Sequence, residues 1–194
     1  MKGSQRKVIG LTGGIASGKS TVGKALEARG FAHLDADAVA RDIGAPGGAA
    51  RPRIEQRFGT ADRDRLREIV FADPQARKDL EALLHPLIRE ESARRMAALP
   101  GTGPIIYEAA LLVETGRFKD LDGLIVVHAP KDVRKSRLIA RNGWDELTAD
   151  RVMDAQISDE DRLRCANWVV ENTGTLKQLE AAVDSLLEKL KQLK

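Results

Sequence analysis

The chemistry-bearing stretch of this chain is Gly13-Gly14-Ile15-Ala16-Ser17-Gly18-Lys19-Ser20, which fits G-x-x-x-x-G-K-S, with Thr21 directly behind it. Glycines let successive backbone N–H groups converge on one point with no side chain in the way. The lysine that follows reaches outer phosphates, and the hydroxyl after it suits Mg²⁺. An apolar run (Val8, Ile9, Leu11) comes before, reading as a buried strand. A helical face (Val22, Ala25, Leu26) comes after, with Gly30 as its stop. Strand, glycine-rich turn and helix are the context of a phosphate-binding P-loop, and a helix starting near Lys19 adds the positive end of its dipole. The expected triphosphate-binding residues are therefore Gly13, Gly14, Ala16, Ser17, Gly18, Lys19, Ser20 and Thr21. A dinucleotide fingerprint is excluded, because G-x-G-x-x-G would need glycine where Ile15 stands.

The loop does not say where the phosphate goes; carboxylates and guanidinium groups elsewhere bear on that. Asp35-Ala36-Asp37 closes a second strand, Phe31 to Leu34, and a helix follows through Ile43. Ligands of open α/β sheets collect outside the carboxyl ends of the strands, so the P-loop and this acidic pair are expected to face one crevice. Asp37 has two readings: a carboxylate that orients or deprotonates a hydroxyl, or a helix cap. Asp35 is the better cap, and Arg41 shares a helical face with Asp37. Glu108 ends a third strand, Gly103 to Tyr107, where a carboxylate either helps to hold Mg²⁺ or orients the substrate. Glu114 stands between a site role and a pair with an arginine. His85 is read either as a substrate contact or as a locally bonded residue at a kink. Arg134, Arg137 and Arg141 fall on one helical face, either a solvated basic surface or part of a lid hinged at Gly143 that brings arginine onto phosphate. Asn172 follows the fifth strand and either touches the nucleotide base or makes a turn.

These residues need elements to carry them. At 194 residues the chain suits one domain, with room for an insertion. Composition is that of an ordinary globular protein, 42% hydrophobic and 31% charged, and a net charge of +3 is too weak to argue for nucleic acid. One cysteine, Cys165, excludes an internal disulfide and points to a reducing, cytoplasmic setting. Met1 to Lys7 is short and polar, unlike a secretory leader, and apolar runs are too short to span a membrane. Strands four and five are expected at Leu124–His128 and Trp168–Val170. Between strands two and three lies a helical stretch, residues 51–99, within which Asp73-Pro74 starts a long helix that Pro86 should break or kink. Asp132 is expected to cap the helix after strand four, and Leu176 to Leu193 to form an amphipathic terminal helix. The fold class is thus α/β: a P-loop-type, five-stranded parallel sheet flanked by helices.

Several segments together resemble the dephospho-CoA kinase family, from about Lys7 to about Leu186. Leu11 to Ser20 resembles its P-loop, Asp35-Ala36-Asp37 with Arg41 its D-A-D-x-x-x-R segment, and Leu83-Leu84-His85-Pro86-Leu87-Ile88 its L-L-H-P-x-I segment. Leu111-Leu112-Val113-Glu114 is similar to its L-L-[FV]-E run, Arg137-Leu138 with Arg141 to its R-L-x-x-R lid, and Glu171-Asn172-Thr173-Gly174 to its D-N-x-G turn. The resemblance implies ATP and Mg²⁺, with transfer of the γ-phosphate to the ribose 3′-hydroxyl of dephospho-CoA. It implies Asp37, Lys19 and Arg141 as catalytic residues, Arg141 and Asn172 on ATP, and Asp37, Arg41, His85 and Leu111 toward the acceptor. Ser20 and Glu108 are then the metal residues. It also implies three parts: a nucleotide-binding core (about 1–36, 101–137 and 166–194), a CoA-binding insertion (about 37–100) and a lid (about 138–165). A small-molecule acceptor, no nucleic-acid or membrane partner, and a monomer or small homo-oligomer complete the expectation. The chain departs from the pattern in having Ala110 for a usual proline, the longer Glu108 for a frequent aspartate, and a short turn around Thr60–Arg63.

Two other readings use the same loop. Another small-acceptor kinase would need an acceptor pocket unlike the D-A-D and L-L-H-P pair. A GTPase-type switch finds a D-x-x-G match in Asp120 to Gly123, but this precedes strand four and no N-K-x-D segment exists.

Overall fold

The computed structural model describes residues 6–192. Its sheet has the order β2-β3-β1-β4-β5, built from β1 (Val8–Gly13), β2 (Ala32–Asp35), β3 (Ile105–Glu108), β4 (Gly123–His128) and β5 (Trp168–Glu171). β1 runs parallel to both β3 and β4, and β4 parallel to β5. The central strands read as unbroken apolar runs because parallel strands are covered on both faces. α1 (Lys19–Ala28) and the terminal α9 (Leu176–Lys191) pack Val22, Leu26, Leu179, Val183, Leu186 and Leu190 onto Ile9, Leu11, Ile106 and Ile125. Thr175 and Gln178 form a capping box that fixes where α9 begins. The register sets Leu11 beside Glu108 and Gly13 beside Val127, so the P-loop and Glu108 leave the same edge of the sheet.

The chain divides into two compact units, one of residues up to Leu34 together with Pro100 onward, the other Asp35–Leu99. The second is helical: α2 (Ala36–Gly44), α3 (Arg51–Phe58), α4 (Arg63–Ala72) and α5 (Pro74–Ala98). Asp35, Asp62 and Asp73 cap α2, α4 and α5 by accepting first-turn backbone N–H groups. The expected break at Pro86 does not occur; α5 runs through it for 25 residues. Proline there costs the carbonyl of Ala82 its helical donor, but both residues are exposed, so water can replace the bond.

In the first unit, β4 is followed by α6 (Lys131–Asn142), α7 (Glu146–Asp154) and α8 (Asp159–Arg164). Gly143 ends α6 in the left-handed region at φ 67°, and Asp145 caps α7. Asp132 lies inside the first turn of α6 instead of capping it, because Pro130 occupies the cap position. Leu138, Ala149 and Met153 make a small core with Ile139 and Trp144 that reaches the P-loop residues Ile15 and Ala16. No described helix is long and apolar enough to cross a membrane.

Candidate active site

The P-loop is held open by close packing around it. Gly18 sits at φ 92° and Ala16 at φ 61°, both left-handed, so the chain turns sharply into α1. Gly18 caps α1 without a side-chain acceptor for the first-turn N–H groups, which is the helix end that suits an anion. Asn172 donates from its side-chain amide to the Ser17 carbonyl (2.7 Å), and Arg137 donates to the Asn172 carbonyl (3.0 Å). The Ile15 N–H donates to Gln156 (2.8 Å). The loop is thus braced from β5 and from α6 to α8, and Ser17 Oγ is buried there with no protein partner.

Glu108 is the electrostatic centre. Its Oε1 accepts from Lys19 Nζ (2.7 Å) and from the Ser20 hydroxyl (2.7 Å). Its Oε2 lies 2.9 Å from His33 Nε2, whose other ring nitrogen is 3.5 Å from Glu27. Burial, the largest influence, pushes the carboxyl up; the His33 bond, the Lys19 charge and the Lys19 and Ser20 bonds together outweigh it and hold it at about 2. The Glu108 hydrogen bond pushes the His33 imidazole above its ordinary range against the opposing effect of burial, with Glu27 adding to the rise. Glu108 is therefore an ionised, nearly inaccessible carboxylate at the lip of the P-loop.

Gly23 makes room for this arrangement. A Cβ there would lie 2.4 Å from Glu108 Oε2 and 2.9 Å from His33 Nε2. His33 escaped the sequence reading, since one histidine in a short strand carries no pattern. The available signal was Gly23, a glycine in the middle of a helix, where alanine would serve the helix better.

Mg²⁺ suits these groups: a carboxylate and a hydroxyl are hard oxygen donors, and Mg²⁺ needs few protein ligands when phosphates supply others. No cluster of three or more His, Cys, Asp or Glu that could hold a metal exists among the described residues. Ser20 and Glu108 are the residues that would hold the ion.

Of the three arginines on α6, Arg134 is buried, donating to the Ala129 carbonyl (3.0 Å) and to Asp159. Arg162, which sequence did not single out, is 2% exposed and donates to Asp159 (3.0 Å) and Glu114 (3.1 Å). Glu114 therefore does pair with an arginine. A Cβ on Gly14 would fall 2.4 Å from Arg134 Nη1 and 3.3 Å from Arg162 Nη1, so two guanidinium groups press on the loop. Arg141 lies apart from them, exposed and bonded to the Asn142 side chain (2.8 Å). Leu111 is exposed on the stretch after β3, whereas Leu112 is buried.

In the helical unit Asp35 is the cap and Asp37 stands exposed in the first turn of α2. Arg41 Nη2 is 3.5 Å from Asp35. His85 is half-buried one residue before Pro86. Asp122, from the D-x-x-G match, accepts from the Val8 N–H (2.7 Å) where β1 begins, at the edge of the sheet away from the P-loop, so it does structural work.

The comparisons with known proteins agree with one another. The dephospho-CoA kinase family model, CoaE, matches residues 7–178. The dephospho-CoA kinase of Frankia casuarinae is 43% identical over 190 residues, covering 94% of this chain and 82% of the relative. That of Anaeromyxobacter dehalogenans is 42% identical over 197 residues, covering 95% and 92%. The crystal structure of TT1252 from Thermus thermophilus superposes with a TM-score of 0.83 at 35% identity, covering 96% of this chain and 99% of that one. The chain belongs to the dephospho-CoA kinase family.

Proposed function

We propose that this protein transfers the γ-phosphate of ATP to the ribose 3′-hydroxyl of dephospho-CoA, giving CoA and ADP, the last step of coenzyme A synthesis. The observation that carries the reading is the convergence of Lys19 and Ser20 on the ionised Glu108 at the mouth of the P-loop. A γ-phosphoryl group carries its charge on peripheral oxygens, so catalysis rests on positioning and neutralisation more than on covalent chemistry. The P-loop residues Gly13, Gly14, Ala16, Ser17, Gly18, Lys19, Ser20 and Thr21 cradle the phosphates, and Lys19 neutralises the outer ones. Mg²⁺, held through Ser20 and Glu108, supplies further charge neutralisation when bound. Asp37 orients the acceptor hydroxyl and takes its proton; Arg41, His85 and Leu111 shape the acceptor site. Arg141 closes on ATP, while Asn172 acts at the nucleotide and fixes the loop through Ser17. Residues of about 37–100 serve as the acceptor-binding insertion and about 138–165 as the lid. The enzyme works in the cytoplasm as a monomer or small homo-oligomer, without nucleic-acid or membrane partners.

The test is ADP release from Mg²⁺-ATP with dephospho-CoA, AMP or adenosine as acceptor, with CoA identified by mass. Strong stimulation by dephospho-CoA alone is expected. Turnover with AMP or adenosine, and none with dephospho-CoA, would overturn the acceptor.

A further inference from the structure

Glu108 presents its two oxygens to different partners: Oε1 to Lys19 and Ser20, Oε2 to His33. A carboxylate at the end of a glutamate has three torsions to lose, one more than aspartate. Here the additional torsion is restrained by a ring nitrogen from the neighbouring strand and by the backbone of α1, which approaches closely at Gly23. The His33 side chain is only 10% exposed, so its ring has little freedom to leave. Its second nitrogen faces Glu27, which holds the ring's other edge.

We propose that His33 is a positioning residue for phosphoryl transfer: its Nε2–H anchors Glu108 Oε2 and so keeps Oε1 turned toward Ser20 and the metal. The inference rests on the reading of Ser20 and Glu108 as the metal residues. An ionised carboxylate only accepts hydrogen bonds, so the proton of this contact resides on His33 Nε2. Lost outer partners of metal ligands typically cost about 10–100-fold in metal affinity.

Glutamine and asparagine at position 33 separate position from polarity. The amide nitrogen of glutamine reaches the place of histidine Nε2, while that of asparagine reaches only the place of Nδ1. Mn²⁺ binding to the ADP complex, read by electron paramagnetic resonance without turnover, is the assay. His33→Gln should hold Mn²⁺ within about 3-fold of wild type, whereas His33→Asn and His33→Leu should weaken it at least ~10-fold. ADP binding without metal should change less than ~2-fold in all three, since the loop's own N–H groups are untouched. Wild-type metal affinity in His33→Asn and His33→Leu would overturn the proposal, as would a His33→Gln loss equal to that of His33→Asn. A second measurement needs no variant: ¹⁵N spectra of the wild-type His33 ring should show Nε2 protonated, and an unprotonated Nε2 at neutral pH would equally refute the anchor. Loss of dephospho-CoA turnover with these metal effects intact would overturn the acceptor alone; normal turnover with no metal effect at position 33 would do the reverse.

Discussion

Gly23→Ala sets two effects of opposite sign against each other. Alanine in a helix interior is favoured over glycine by about 1 kcal/mol, so propensity alone predicts a more stable protein. The new Cβ, however, would stand 2.4 Å from Glu108 Oε2 and 2.9 Å from His33 Nε2. Ordinary contact begins near 3.4 Å, so the carboxylate oxygen must retreat by about 1 Å. It cannot do so freely, because Lys19 and Ser20 hold Oε1 at 2.7 Å and His33 holds Oε2 at 2.9 Å. Losing one charge-assisted hydrogen bond costs about 1.5–3 kcal/mol. The clash therefore wins, by a net ~0.5–2 kcal/mol, and lowers Tm by roughly 1–8 °C for a chain of this size. The same displacement moves Glu108, proposed above as a metal residue, by about 1 Å, and a misplacement of that size near the reacting atoms can cost about 10²-fold in rate. Thermal unfolding and kcat with Mg²⁺-ATP and dephospho-CoA measure both. A higher Tm with unchanged kcat would refute the reasoning, for it would mean that Glu108 is not wedged against α1.

Three further outcomes are expected. Asp37→Asn should lower kcat at least ~10²-fold with ATP binding retained, a scale usual for loss of a general base, and near-normal turnover would remove Asp37 from its role. Arg162→Met should destabilise the first unit by about 3–5 kcal/mol in denaturant unfolding, because Glu114 and Asp159 lose a buried partner; adding Glu114→Gln should recover part of the loss. Glu91 accepts from Arg94 and Arg95, which together hold its carboxyl at about 2. A depressed carboxyl contributes stability above its unfolded value of about 4.3 and loses it as pH falls toward the folded value, so the Tm gap between wild type and Glu91→Gln should be full at pH 7 and close between about pH 4 and pH 2.

The sequence alone determined the parts whose physics is local. Gly13 to Ser20 specify a phosphate loop because glycine backbone freedom, a lysine and a hydroxyl are needed at fixed offsets, and Asp35 and Asp73 announce helix starts by capping their own neighbours. Alternating apolar strands and helical faces sufficed for a parallel sheet, and the D-A-D and L-L-H-P segments for the family. That the helix does not break at Pro86 has a reason that sequence does not carry: whether a proline ends a helix depends on solvent reaching the carbonyl it strands. Tertiary structure decided what long-range packing decides. Only the register of β3 against β1, the place of β2 beside β3 and the packing of α1 on β3 bring Glu108, His33 and Gly23 together from distant parts of the chain. Only the folding of α6 and α8 turns Arg134 and Arg162 from charges on a helix face into buried groups against Gly14. Charge on a helix is legible as periodicity; its burial depends on which element packs over it, and no spacing within the helix records that.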